Sequence, residues 1–128
     1  MIKLKLTSVV VDDQAKAEKF YTDILGFRKK QDFPIGGARW LTVVSPASDE
    51  VELLLEPCGY DFAQAYQKAL YERGIPCTAF AADNVQDEYE RLRKLGVVFR
   101  GEPQKVEDFP TTAVFEDTCG NLIQLYEL

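Results

Sequence analysis

Residues 12–27 read DDQAKAEKFYTDILGF, and residues 82–97 read ADNVQDEYERLRKLGV. The two stretches share few identities but one plan. In the first, Asp12 or Asp13 can cap a helix, and Ala17, Phe20, Tyr21, Ile24 and Leu25 recur at helical spacing. Gly26 then ends the helix as a left-handed C-cap would. In the second, Asn84 is placed to cap with Asp87 three residues on. Val85, Tyr89, Leu92 and Leu95 form the buried stripe, and Gly96 is the stop. Asp13 precedes Gly26 by as many residues as Asp83 precedes Gly96. A repeat that aligns cap with stop is a statement about the whole fold.

Working outward from the first stretch, KLKLTSVVV (Lys3 to Val11) reads as a strand before the helix. FRKKQDF, ARWLTVVSP and EVELLLEP read as three strands after it, separated by the turn compositions PIGG and SPASDE. The second stretch is framed in the same way. PCTAFAA precedes it, and VVFRG, TTAVFED and NLIQLYEL follow as strands. EPQKVEDFP reads as a loop or an irregular strand. Between the halves, YDFAQAYQKALYERG predicts a connecting helix. Asp61 is its cap, Gly74 its stop, and Phe62, Ala65, Tyr66, Ala69 and Leu70 its apolar stripe, which is expected to pack in the core. The expected organisation is one α+β domain over residues 1–128, built from two tandem βαβββ modules. Module 1 spans about 1–57, the connecting helix about 61–73 and module 2 about 75–128.

The composition limits the chemistry. With 46% hydrophobic residues the chain has ample material for a core. No apolar run approaches the roughly 20 residues that span a bilayer. The first residues alternate charge and apolar character, unlike a signal peptide. A cytoplasmic protein without a membrane partner is therefore expected. The net charge is −6, and the basic clusters RKK (Arg28 to Lys30) and RLRK (Arg91 to Lys94) are short and flanked by acids. That argues against nucleic acid as a partner. The three cysteines, Cys58, Cys77 and Cys119, form neither a disulfide framework nor a zinc-finger spacing. Cys119 reads as an exposed thiol with no base near it in sequence. The chain has no histidine. This excludes serine–histidine and cysteine–histidine pairs, the two-His-one-carboxylate iron site, and the usual general base near neutral pH.

These features resemble the vicinal oxygen chelate superfamily, which includes glyoxalase I, the bleomycin-resistance proteins and the extradiol dioxygenases. The resemblance covers essentially the whole chain. It is carried by VDDQAKAEKFYTDILGF, by ADNVQDEYERLRKLGV, and by DTCGNLIQL near the end, which is similar to a closing Asp-Pro-Asp-Gly-Asn-x-x-Glu-Leu pattern. It implies paired modules whose mixed sheets curl around a cavity. It also implies one divalent metal held by the first and last strands of each module. Carried over position by position, the first-strand ligand falls on Leu6 and its second-module equivalent on Cys77. The last-strand glutamate of the second module falls on Gln124. The remaining position falls in VELLLEP, on Leu53 or, one residue earlier, on Glu52. If Glu52 faces the cavity, Leu54 and Glu56 do too; if Leu53 does, Val51 and Leu55 accompany it.

Leucine ligates nothing, and a thiol with a carboxamide makes a poor shell for Mg²⁺, Mn²⁺ or Fe²⁺. A carboxamide does not titrate near neutral pH, so Gln124 cannot serve as the base expected of the family glutamate. No catalytic residue is assigned and no cofactor is expected. By strand alternation Leu6 groups with Ser8 and Val10, Cys77 with Ala79 and Ala81, and Gln124 with Leu122 and Tyr126. Arg39 and Trp40 open a strand and are either a stacking pair for a planar ligand or, for Trp40, core. The candidate pocket residues are thus Leu6, Ser8, Trp40, Glu52, Glu56, Cys77, Gln124 and Tyr126. The resulting expectation is a metal-independent homodimer, like the bleomycin-resistance type, that binds a small apolar or planar molecule. The alternative is a divalent-metal lyase, isomerase or dioxygenase with an atypical shell drawn from Glu52 or Glu56, Cys77 and Gln124.

Overall fold

Asp13 does cap the first helix: its carboxylate accepts a hydrogen bond from the Lys16 amide at 3.0 Å. Helix α1 (Gln14–Lys19) then widens into a π-helical turn, Phe20–Ile24, before Gly26 reverses the chain with a φ of 88°. In the computed structural model, which describes all 128 residues, this turn brings the adjacent Phe20 and Tyr21 both into the core. One extra residue per turn shifts the facing of a helix, which lets consecutive rings share a buried side.

Around α1 the first module forms a four-stranded mixed sheet. Its strands are β1 (Leu6–Val11), β2 (Arg28–Ile35), β3 (Ala38–Ser45) and β4 (Ser48–Pro57), in the order β1-β4-β3-β2. β1 and β4 run parallel; the other neighbours are antiparallel. One face carries Val9, Val11, Leu41, Val43, Leu53 and Leu55, all buried, with α1 packed on β4. Each such side chain contributes roughly 1.5–3 kcal/mol on burial. By alternation, the other face carries Leu6, Ser8 and Val10 from β1, Glu52, Leu54 and Glu56 from β4, and Ala38, Trp40 and Thr42 from β3.

The second module repeats this plan with three strands, β5 (Thr78–Ala82), β6 (Thr112–Glu116) and β7 (Leu122–Glu127), ordered β5-β7-β6. Again the first and last strands are parallel. Helix α3 (Val85–Lys94) is capped by Asn84, as expected, and its Val85 amide donates to Glu127 at 2.8 Å. Val85, Tyr89 and Leu92 are buried, as are Ala113, Phe115, Ile123 and Leu125 on the strands. Leu95, expected in that stripe, is half exposed because it already belongs to the C-cap.

VVFRG does not form a full strand. Phe99 bridges Phe115 and Gln104 bridges Thr112, so the segment follows β6 only at separate points. Gly101, at a φ of 101°, and Pro103, which lacks a donor, interrupt the ladder between those points. The helix α2 (Asp61–Glu72) forms where expected, but none of its residues is buried. Phe62 and Tyr66 are largely exposed, which corrects the expectation of a core stripe. Residues Met1–Ala65 and Tyr66–Leu128 make two compact units, and the division falls inside α2. No helix is long and apolar enough to cross a membrane.

A candidate ligand pocket in the first module

The face of the first sheet turned away from α1 ends in a cavity of about 470 Å³. Its floor is Val10, Leu54, Ala38 and Trp40; its rim adds Ile35, Pro57, Tyr60, Phe62 and Ala63, with Arg39 and Glu56 as the charged members. The register explains the grouping. Val10 pairs with Glu56 across the parallel ladder, Leu54 pairs with Thr42, and Trp40 lies two residues before Thr42. Alternation therefore lines up Trp40, Leu54, Val10 and Glu56 on one surface.

Two aromatic pairs shape the cavity. Trp40 stacks on Phe33, its cross-strand partner, with ring centroids 6.3 Å apart and planes 21° from parallel. Tyr60 stacks on Phe62 at 5.1 Å and 9°. Trp40 is half-buried. Preformed apolar and aromatic walls of this size are the usual make-up of a small-molecule site, whose volumes run roughly 300–1,000 Å³.

Arg39 does not join Trp40 as a stacking partner. Its guanidinium turns into an ionic cluster, donating to both oxygens of Asp32 at 3.0 and 2.8 Å and to Glu18. Lys29 completes the cluster at 2.9 Å from Asp32 and 3.3 Å from Glu18. Hydrogen bonds from Arg39 above all, then from Lys29, hold the Asp32 carboxyl well below the usual carboxylate range and lower that of Glu18. Gln14 fixes the Arg39 backbone from the other side. It donates to the Arg39 carbonyl at 2.7 Å and accepts from its amide at 3.1 Å. Arg39 is thus held by hydrogen bonds at both its backbone and its side chain.

Strand alternation left Glu52 and Leu53 both open, and the structure separates them. Leu53 is buried on the α1 side, whereas Glu52 shares the pocket-side face with Leu54 and Glu56. One oxygen of Glu52 accepts from Gln31 at 2.6 Å and from the Thr42 hydroxyl at 2.8 Å. Those two bonds are the main reason its carboxyl titrates below the ordinary value. A carboxylate so satisfied is a weak proton acceptor. Glu52 does not line the cavity. Glu56 does, and its carboxylate has no hydrogen-bond or ion-pair partner in the chain. Leu6 and Ser8 lie on the same face but toward the open end of β1, where both are exposed and outside the cavity lining.

Cys77, Gln124 and Tyr126 belong to the second sheet. Gln124 pairs with Ala79 on β5 and with Val114 on β6, and the Cys77 amide donates to the Leu122 carbonyl. Gln124 is half-buried and its carboxamide makes no hydrogen bond within the chain. Tyr126 is exposed, as are Ala79 and Ala81. Burial chiefly, with a smaller push from Asp117, raises the Cys77 thiol to about 11. Cys119, expected to be exposed, is completely buried. It sits in the closing turn, where its amide donates to Asp117 at 2.8 Å.

The donor set does not fit the divalent metal that the fold implies. No three His, Cys, Asp or Glu side chains come together anywhere. Leu6 offers a hydrocarbon, Gln124 a neutral amide and Cys77 a thiol that stays protonated at neutral pH. The Glu52 oxygen is already committed to Gln31 and Thr42. No reaction step is therefore derived through a metal.

The sequence does not single out several lining or supporting residues as such, among them Tyr60, Phe62, Ile35 and Phe33. Phe62 was assigned to the buried stripe of α2, and the aromatic spacing of GYDF, just ahead of that helix, was the available signal. Phe33 could have been found from the tight PIGG hairpin, which places it opposite Trp40.

The sequence matches the profile of the Glyoxalase/Bleomycin resistance protein/Dioxygenase superfamily over residues 3–125. It is 49% identical over 127 residues to the YurT protein of Bacillus subtilis (strain 168), covering 98% of this chain and 99% of that one. The fold is similar to that of UcmS2, with a TM-score of 0.86, 36% identity and coverage of 100% and 99%. It is also similar to TnmS3, described as an antibiotic binding protein from Streptomyces sp. CB03234, with a TM-score of 0.76, 27% identity and coverage of 99% and 96%. The chain belongs to the Glyoxalase/Bleomycin resistance protein/Dioxygenase superfamily.

Proposed function

We propose that this protein binds a small, planar, largely apolar molecule in the first-module pocket and acts by holding it rather than transforming it. The observation that carries this reading is the pair of aromatic stacks, Trp40 on Phe33 and Tyr60 on Phe62, at a cavity with an apolar floor. A half-buried indole held by a neighbouring ring is a preorganised surface for another flat molecule, and such preorganisation lowers the entropic cost of binding. The similarity to an antibiotic binding protein supports the same class of role. Metal independence is part of the proposal, supported by the donor chemistry of Leu6, Glu52, Cys77 and Gln124. So is a homodimer, supported by the uncovered aromatic face of α2. A cytoplasmic setting agrees with three cysteines that form no disulfide.

Calorimetric titration of acridone, a neutral three-ring planar molecule, into protein freed of metal by chelator tests the reading. The expected result is saturable binding in the micromolar range with one site per chain. Binding that appears only after a divalent metal is restored, or that persists unchanged in Trp40→Ala, would sink it.

A further inference from the structure

We infer that the pocket prefers planar molecules bearing a positive charge, and that Glu56 is the residue that selects them; this rests on the binding function proposed above. The pocket holds two charged residues, and only one has charge to spare. Arg39 is neutralised within its cluster: two carboxylates, Asp32 and Glu18, balance Arg39 and Lys29 at separations of 2.5 to 3.3 Å. Its Nε and Nη2 are already committed to those carboxylates. Glu56 has no such partner. It is half-buried and lies beside Val10 in the parallel ladder, on the surface that Leu54 and Trp40 continue.

A lone carboxylate at an apolar, aromatic-walled cavity does two things. Its field is focused by the low-dielectric walls, and an opposite charge brought there loses less to screening than on an open surface. A cationic ring system would place its flat face on Trp40, where the indole quadrupole also favours positive charge, and its charged edge toward Glu56. An anionic ring system of equal size would meet repulsion from the same group. The acidity of the chain as a whole, −6, draws cations toward the molecule but cannot by itself discriminate at the pocket.

Three probes on one ring frame test this by calorimetry: aminoacridine as the cation, acridone as the neutral form and acridine carboxylate as the anion. Wild-type protein is expected to bind the cation about tenfold more tightly than the neutral probe, and the anion least. In Glu56→Gln that preference collapses to about twofold or less while acridone binding is unchanged. Glu90→Gln, which removes the same net charge from an exposed site on α3, keeps the preference. The preference also shrinks as salt is raised, whereas acridone binding does not respond. Failure of all three probes to bind would overturn both this inference and the proposed function. Tight acridone binding without a cation preference, or a preference that survives Glu56→Gln, would overturn this inference alone.

Discussion

The two modules share a backbone plan and differ in the sheet face turned away from the helix. In the first, that face carries Trp40, Leu54 and Val10 beside Glu56, with a cavity above them. In the second, the equivalent face carries Cys77, Ala79, Ala81, Gln124 and Tyr126, small or isolated side chains without a stacked aromatic pair. The second module instead places its buried polar residues, Asp117 and Asn121, in one turn. Asp117, completely buried, accepts from the amides of Cys119 and Asn121 at 2.8 and 3.0 Å and from the Asn121 side chain at 2.8 Å. Gln67 of α2 covers the turn, donating to the Cys119 carbonyl and to Asn121 at 3.2 Å each. It lies so close that a Cβ on Gly120 would sit 2.8 Å from its amide, and the φ of 97° there also demands glycine. The two units thus share a strand order but not a cavity-bearing face.

The largest expected effect lies in that turn. Asp117→Ala removes a buried carboxylate that accepts from two backbone amides and a side-chain amide, and should cost about 3 kcal/mol. Scanning calorimetry should show a fall in Tm on the order of 10 °C. A change of a degree or two would mean that the turn is replaceable and that the contrast between the modules is overstated. Next is the binding surface. Trp40→Ala should weaken acridone by at least about 30-fold, as loss of a central aromatic anchor does. Tyr126→Ala, on the second sheet, should change it less than about twofold. Equal effects from both would place the ligand elsewhere.

Acid should act on the first module. The carboxyls of Glu52, Glu18 and Asp32 all titrate below their ordinary values, through hydrogen bonds from Gln31 and Thr42 for the first and from Arg39 and Lys29 for the others. A carboxyl lowered in the folded state contributes stability that is present above its unfolded value. That stability is lost as pH falls through the folded one. Chemical denaturation should therefore show stability declining below about pH 5, and Glu52→Gln should shallow that decline by about 1 kcal/mol. A decline that is as steep in the variant would remove Glu52 from the account. The smallest effect concerns Cys77. With its thiol raised to about 11, iodoacetamide should label it far more slowly than free cysteine at neutral pH, with the rate still climbing as pH approaches that value. Rapid labelling at neutral pH would restore it as a thiolate and reopen a metal or nucleophile role.

Much of this architecture could be read from particular residues. Asp13 and Asn84 cap as expected because a short acceptor ahead of an amphipathic run has few other uses. The repeat of strand order shows in both modules, but the parallel pairing of first and last strands comes from the structure alone. The failures have physical causes. The apolar stripe of α2 shows that the helix has two faces; it does not show what covers one of them. VVFRG has strand composition, but Gly101 and Pro103 break its ladder. Alternation gave Glu52 and Leu53 equal standing, because only the register with β1 says which side meets the helix. The pocket was half legible. Trp40 and Glu56 both line the cavity, whereas the Arg39 guanidinium meets Asp32 on the neighbouring strand and Glu18 on α1, contacts that strand alternation does not reveal. Gln124 falls at the superfamily's acidic position, yet the aromatic-lined cavity lies in the other module.

The central claim is that the first module binds planar molecules without metal, and the chain carries its own reporter, since Trp40 is its single tryptophan. Titration of acridone in the presence of chelator, followed by tryptophan emission, should give saturable quenching at one molecule per chain, identical with and without chelator. Emission that stays flat while acridone binds by calorimetry, or quenching abolished by chelator, would contradict the account.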